Sequence, residues 1–434
     1  MKALNDLKGK IQYPSFANTA WLLAEKFIQL FIGLGVAIYV ARYLGPESYG
    51  ILSYSQSMVL MFSAVAALGI DNVVVREITR NKDKAKEIVL TAITMKIVGG
   101  LVAIFLSVLS AYLLSEKELE YVLVLIISLS MLFTGSSVIN LYFQSFEKLK
   151  YSSIANIFAF ATSGAFKVVL IMQGADLIWF AVALMLDSVF LAIGLAFVYV
   201  QDIKDTVTRV TLNWPFAKRI FLESWPLIFS LLAVTVYSRI DQVMIMQMLD
   251  EHAVGLYSVS MKLYDAAIVI PSAIIVSLFP KVINAGKENS DRAFVKYFEL
   301  PILTIFSIAI FVSFSSFWFI PFFFGQEYES SSEILNILIW GGVFSVVGMI
   351  RSRWVTLECL QRYTIIYVVV GMLVNIILNY YFIPKYGVIG AAWASFVAQA
   401  ISGLFGVLLI SNTRPFFRIA CCILNPFKWN FYRD

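Results

Sequence analysis

The sequence predicts an all-α polytopic membrane protein, with twelve transmembrane helices arranged as two six-helix bundles. Composition is the first reason. With 60% hydrophobic residues, 14% charged residues and a mean hydropathy of +0.82, a 434-residue soluble globular chain is excluded. The second is periodic: runs of about 20 mostly apolar residues, enough to cross a ~30 Å hydrocarbon core as helices, recur throughout the chain. They fall at roughly 18–41, 49–70, 89–114, 121–146, 151–173, 177–200, 224–248, 256–279, 300–324, 334–356, 363–383 and 387–410.

Loop charge is the third reason, and it also predicts orientation. Counted from the N-terminus, the even-numbered connections and the two tails hold 23 Lys and Arg. The odd-numbered connections hold only Arg42, Lys117 and Lys385, and seven further basic residues lie within spans. Basic loops stay cytoplasmic, so both termini are expected in the cytoplasm. One missed or invented span would break the alternation. Residues 1–17 read as an interfacial amphipathic helix, with Leu4, Leu7 and Ile11 on one face and Lys2, Lys8 and Lys10 nearby. The tail from Pro415 to Trp429 has the same character.

Several chemistries find no support. Cys359, Cys421 and Cys422 lack zinc or paired-thiol spacing, and the lone His252 sits in a short outer loop. No Gly-rich phosphate loop precedes a basic residue, so an internal ATPase is not expected. Basic residues are scattered over membrane loops, which argues against nucleic-acid binding. The outer loops are short and acidic, with ten Asp and Glu against three Lys and Arg. A polymerase or glycosyltransferase working on that side would need a longer loop. A transporter is therefore expected rather than an enzyme, with no cofactor and no metal.

The two halves are related. Leu44-Gly-Pro-Glu-Ser-Tyr-Gly50-Ile-Leu-Ser53-Tyr-Ser55 aligns with Leu249-Asp-Glu-His-Ala-Val-Gly255-Leu-Tyr-Ser258-Val-Ser260 at a constant offset of 205. Both segments lie at the outer turn between the first and second helix of their half. The repeat divides the chain into an N-terminal bundle, 1–205, and a C-terminal bundle with a short tail, 206–434. Transporters built from two equivalent bundles hold their site between them, near the bilayer midplane.

Ala41-Arg42-Tyr43-Leu44-Gly45-Pro46 with Tyr49-Gly50, then Leu68-Gly69-Ile70-Asp71 and Val75-Arg76-Glu77, resembles the opening signature of bacterial polysaccharide-unit flippases. These are the Wzx-type O-antigen and capsule exporters of the multidrug/oligosaccharidyl-lipid/polysaccharide superfamily. Pro384-Lys-Tyr-Gly387-Val-Ile-Gly390-Ala-Ala392 is similar to the start of their last helix. The resemblance covers essentially the whole chain and implies a MATE-like pair of bundles around a central cavity. It implies translocation of an undecaprenyl-diphosphate-linked oligosaccharide by alternating access, coupled to H+ or Na+. A polysaccharide polymerase and a chain-length regulator are the protein partners it suggests.

A charge in hydrocarbon costs from about 3 to more than ~10 kcal/mol unless it faces protein or water. Seven basic residues lie in the predicted spans: Lys26, Lys96, Lys167, Arg239, Lys262, Arg351 and Arg353. Four acids accompany them: Glu25, Asp187, Asp241 and Asp265. The excess of positive charge predicts a path for an anion and argues against a drug or organic-cation antiporter, which would show an acidic, aromatic cavity. Arg239, Lys167 and Lys262 lie nearest mid-span and are the leading candidates for holding a diphosphate. Lys96, Arg351 and Arg353 fit equally well as side chains snorkelling to the inner headgroups. Lys26 can be neutralised by Glu25, and Lys262 by Asp265 at i,i+3. Asp187, without a close sequence partner, is the preferred ion-coupling carboxylate, followed by Asp265, Asp241 and Glu25. Pro226, Pro271, Pro280, Pro301 and Pro321 cluster in or beside the seventh to ninth spans, where bending would serve a gate.

Overall fold

The computed structural model describes residues 16–115, 117–203, 211–284 and 290–424. Among these residues there is no strand, and ten continuous helices are long and apolar enough to cross a membrane. Two of the ten are pairs of spans merged across a break. The backbone reverses at Gly45 (φ +71°) and Gly387 (φ +60°), conformations that favour glycine. Twelve spans result, as the loop charges require.

The spans are α1 (16–44), α2 (46–67), α3 (Ala85–Leu114), α4 (Glu118–Ser145), α5 (Leu149–Met172) and α6 (Leu177–Ile203). The second half comprises α7 (Trp214–Met248), α8 (Glu251–Asn284), α9 (Ser290–Phe324), α10 (Ser331–Leu357), α11 (364–386) and α12 (388–403). Two shorter amphipathic helices, Asp71–Arg80 and Arg414–Leu424, lie beside them. The N-terminal amphipathic segment, the joint at 205/206 and the end of the tail lie outside the described residues.

Several helices outrun their predicted spans because hydropathy detects only the part that sits in hydrocarbon. Helix α7 begins ten residues before its expected start. The Asn213 side chain caps it by accepting from the Phe216 amide at 2.9 Å, and Pro215 occupies the first turn, where its missing N–H costs nothing. All five clustered prolines lie inside α7, α8 and α9, and none breaks its helix.

The six helices of each half pack chiefly on one another, and the halves meet where α1 and α2 face α7 and α8. The odd-numbered connections define an acidic face and the even-numbered ones a basic face. At the acidic face the repeated glycines bring backbone onto backbone. A Cβ on Gly50 would lie 1.8 Å from the Glu251 carbonyl oxygen, and one on Gly255 would lie 2.0 Å from that of Pro46. Around this crossing, Tyr328 donates to the Ala41 carbonyl at 2.8 Å and Gln247 to that of Leu114 at 2.9 Å. Lys117 pairs with Glu251 at 2.7 Å. The repeat also makes the same local bond twice: Ser55 to the Ile51 carbonyl at 2.9 Å, and Ser260 to that of Leu256 at 3.1 Å.

At the basic face the start of α7 is built into the first half. Ile220 is fully buried in a cluster with Ile70, Val74, Ile78 and Ile88. Arg219 pairs with Glu77 at 2.7 Å, and Arg76 with Glu223 at 2.5 Å. The first turns of α7 thus pack with the first bundle although the sequence repeat assigns them to the second.

Candidate functional site

A cavity of about 240 Å³ lies just below the sealed acidic face. Its walls come from α1, α2, α5, α6 and α8. Gly33, Val36, Ala37 and Val40 form one side, and Tyr49, Phe160, Phe180 and Leu184 supply aromatic and apolar surface. Ser53, Gln56, Ser163, Lys167, Asp187 and Lys262 supply the polar groups. The apolar majority explains why the charges stand out: in low dielectric each needs a partner, water or an ionic cargo.

Two of the three leading cationic candidates, Lys167 and Lys262, share this cavity from opposite halves of the chain. Lys167 bonds both oxygens of Asp187, at 2.9 and 2.7 Å, and the Ser163 hydroxyl also donates to Asp187. The ion pair spans α5 and α6, twenty residues apart, which is why sequence spacing hid it. Lys262 is exposed to the cavity and makes no ion pair or hydrogen bond among the described residues. Its i,i+3 neighbour Asp265 turns instead toward Arg239, at 3.6 Å. Arg239, Asp265, Lys167 and Asp187 all lie within electrostatic range of Lys262. The cluster is therefore three cations against two carboxylates, with Lys262 as the unpaired charge.

The other basic candidates are distributed elsewhere. Lys96 is 2% exposed, pairs with Asp71 at 2.7 Å and donates to Ser137 at 2.8 Å, tying α3 to the Asp71–Arg80 helix and α4. Arg351 is buried, stacks over Tyr367 at 4.3 Å and donates to the Ser402 carbonyl, joining α10 to α11 and α12. Arg353 lies over the Phe279 ring at 5.4 Å. Lys26 is exposed on α1, and Glu25 beside it is buried.

Asp241 occupies a different setting. It is 6% exposed inside the second bundle, and among the described residues all its partners are neutral. Tyr257 donates to it at 2.6 Å, Asn379 at 2.6 Å and Ser395 at 2.5 Å. Asn375 completes the network, accepting from Asn379 at 3.2 Å and donating to Ser395 at 3.4 Å. The Asn379 Oδ1 is buried and has no hydrogen-bond partner among the described residues. Sequence reading passed over Asn375 and Asn379, although two amides at i,i+4 within an apolar span mark one polar helix face. Gln56, Ser163, Tyr257 and Ser395 carry no comparable signal, since single polar residues are common in such spans.

Comparisons with known proteins agree with this architecture. Residues 15–286 match the family described as polysaccharide biosynthesis protein, and residues 226–381 match the MatE family. A Shigella flexneri protein named "Putative O-antigen transporter" is 22% identical over 86% of this chain and 92% of its own length. Among solved structures, the lipid II flippase MurJ in an inward closed conformation superposes with a TM-score of 0.71 at 17% identity, covering 95% of this chain and 99% of that one. A multidrug resistance MATE family transporter in an inward-facing conformation gives 0.69 at 14% identity, covering 91% and 95%. The chain is thus a multi-pass membrane protein with the fold of MurJ and the MATE transporters, and it belongs to the polysaccharide biosynthesis protein family.

Proposed function

We propose that the protein carries an undecaprenyl-diphosphate-linked oligosaccharide from the inner to the outer leaflet of a bacterial cytoplasmic membrane, with both termini cytoplasmic. One observation carries the reading: Lys167 and the unpaired Lys262, from opposite halves, face one cavity beneath a closed outer seal. A diphosphate entering from the cytoplasmic side would bridge the two ammonium groups and draw Lys167 from Asp187. Sugar hydroxyls would meet Gln56, Ser53 and Ser163, and sugar faces would meet Tyr49, Phe160 and Phe180. Opening the seal then exposes the same site to the other leaflet, which is alternating access around a fixed site. The name of the Shigella relative supports a glycan cargo.

The ion that drives the cycle is assigned to Asp241 in the second bundle. A carboxylate surrounded by neutral donors, with the unpartnered Asn379 Oδ1 beside it, fits H+ or Na+. An ion there would release these donors and repack α7, whose Gln247 donates to the Leu114 carbonyl at the seal, against α11 and α12. The test is genetic. Deleting the gene should trap lipid-linked sugar units on the cytoplasmic face and remove surface glycan. Unchanged surface glycan with altered drug tolerance would favour a cation antiporter instead.

A further inference from the structure

Helix α7 carries its buried carboxylate and a buried contact to the first half on neighbouring residues. Asp241 points into the second bundle, where Tyr257 on α8 donates to it at 2.6 Å. Gln242 is 5% exposed and lies about 100° further round the helix, toward the first half. Its Oε1 accepts from the Ser57 hydroxyl on α2, and its Nε2 donates to the Ser258 hydroxyl on α8 at 3.1 Å. Ser57 and Ser258 are themselves buried. Two rungs thus join α7 to α8 side by side, Asp241 to Tyr257 and Gln242 to Ser258, and the second continues across to α2.

The Ser57–Gln242 bond is the middle of a polar seam between the halves. Toward the acidic face Gln247 donates to the Tyr54 hydroxyl at 3.4 Å, and toward the basic face Thr235 donates to the Met61 carbonyl at 2.8 Å. Of these three contacts only the middle one shares its α7–α8 rungs with Asp241. A hydrogen bond weakens steeply with misalignment, and a buried amide left without partners is costly, so this contact is either made or released. We propose that Gln242 is a positioning residue that passes the ion state of Asp241 to the contact between the halves. With Asp241 empty, Gln242 ties α7 and α8 to α2. With the ion bound, Tyr257 is freed, α8 shifts along α7, Ser258 leaves Gln242, and the acidic face opens. The proposal rests on Asp241 as the ion-coupling carboxylate; Tyr257 and Tyr237 are the tyrosines within its electrostatic range.

The test follows opening and ion binding separately in the purified full-length protein in detergent, with Cys359, Cys421 and Cys422 replaced by serine. Opening is the rate at which a thiol reagent labels a cysteine introduced as Ser53→Cys, corrected by its rate on a small free thiol at the same pH. The ion is sodium in a choline background at fixed pH and, in a second series, a pH step without sodium. Binding is read from radioactive sodium or from proton uptake by an indicator dye. In this parent the ion should speed labelling at least about fivefold, the low end for coupling between two sites, and Asp241→Asn should abolish the response. Gln242→Met and Ser57→Ala should bind the ion as the parent does, while labelling changes less than about twofold. Thr235→Val cuts the seam away from the Asp241 rung and should keep the parent's response. Gel filtration establishes that each variant is folded, and if Gln242→Met is not, Ser57→Ala decides. A parent-like response in Gln242→Met or Ser57→Ala, lost ion binding in either, or a lost response in Thr235→Val overturns the proposal and leaves Asp241 its role. A parent that binds no ion or does not respond to it, or an Asp241→Asn protein that responds like the parent, removes the Asp241 reading and the proposal with it.

Discussion

At the scale of single residues, the buried cations divide by what they touch. Lys262 is the cleanest probe of cargo binding because its removal leaves no acid unpaired. Lys262→Ala should lower export at least about tenfold with normal protein level, the loss of one charge-assisted contact to phosphate. Export equal to the parent would remove Lys262 from the site. Lys167 is less simple, since Lys167→Ala strands Asp187 in the cavity and should reduce the amount of protein as well. Adding Asp187→Asn should restore the level but not the export, and immunoblots with surface-glycan assays separate the two. Lys96→Met belongs to a different class. Asp71 is half exposed and can hydrate when its partner goes, so thermal stability should fall by about 1–3 kcal/mol. Ion dependence of transport should not change. The sequence placed these cations inside spans correctly. It could not say which paired with which, because the Lys167–Asp187 and Lys96–Asp71 contacts join different helices.

At the scale of elements, the repeated segments around Gly50 and Gly255 explain why a short sequence match carried structural weight. Each glycine lets the other half's backbone approach, and no side chain fits. Gly50→Val should hold the acidic face open, and Gly255→Val should do the same. A thiol reagent added from that side should then reach a cysteine at Ser53, which is shielded in the parent. Continued shielding with full export would contradict the seal. The Lys117–Glu251 bridge is the polar rim of this closure. The Glu251 carboxylate holds the Lys117 ammonium above the usual lysine value, and Lys117 holds the Glu251 carboxyl below the usual glutamate value. The bridge is thus intact between the two and is lost as pH rises through the first or falls through the second. Closure, read by the same labelling, should therefore not vary between about pH 6 and pH 9 on account of Lys117. Helix count and order were legible from hydropathy and loop charge. Helix ends were not, because α7 and its neighbours continue amphipathically beyond the hydrocarbon, where capping by Asn213 and packing of Ile220 decide the boundary.

At the scale of the whole molecule, the two halves meet in two different ways. The acidic face is a backbone crossing that can separate, whereas the basic face carries ion pairs and a shared apolar cluster around the start of α7. In the proposed alternating-access cycle the bundles would hinge near Pro226, with residues 214–224, held by Arg219–Glu77, Arg76–Glu223 and the buried Ile220, staying on the first bundle. A disulfide between Glu77→Cys and Arg219→Cys should leave transport within about twofold of the parent, while one between Lys117→Cys and Glu251→Cys should stop it. The repeat in sequence pointed to two bundles. It could not reveal that the first turns of α7 are shared, because that depends on contacts with the Asp71–Arg80 helix. The central claim is that an anionic lipid-linked glycan crosses the membrane through the cavity shared by Lys167 and Lys262. Its most direct test is translocation of undecaprenyl-diphosphate-linked oligosaccharide in proteoliposomes, scored by access of an added glycosidase to the sugar. The account predicts ion-gradient-dependent translocation by the parent and little above protein-free vesicles by Lys262→Ala. Translocation by Lys262→Ala at the parent rate, or none by the folded parent under either a proton or a sodium gradient, would contradict it.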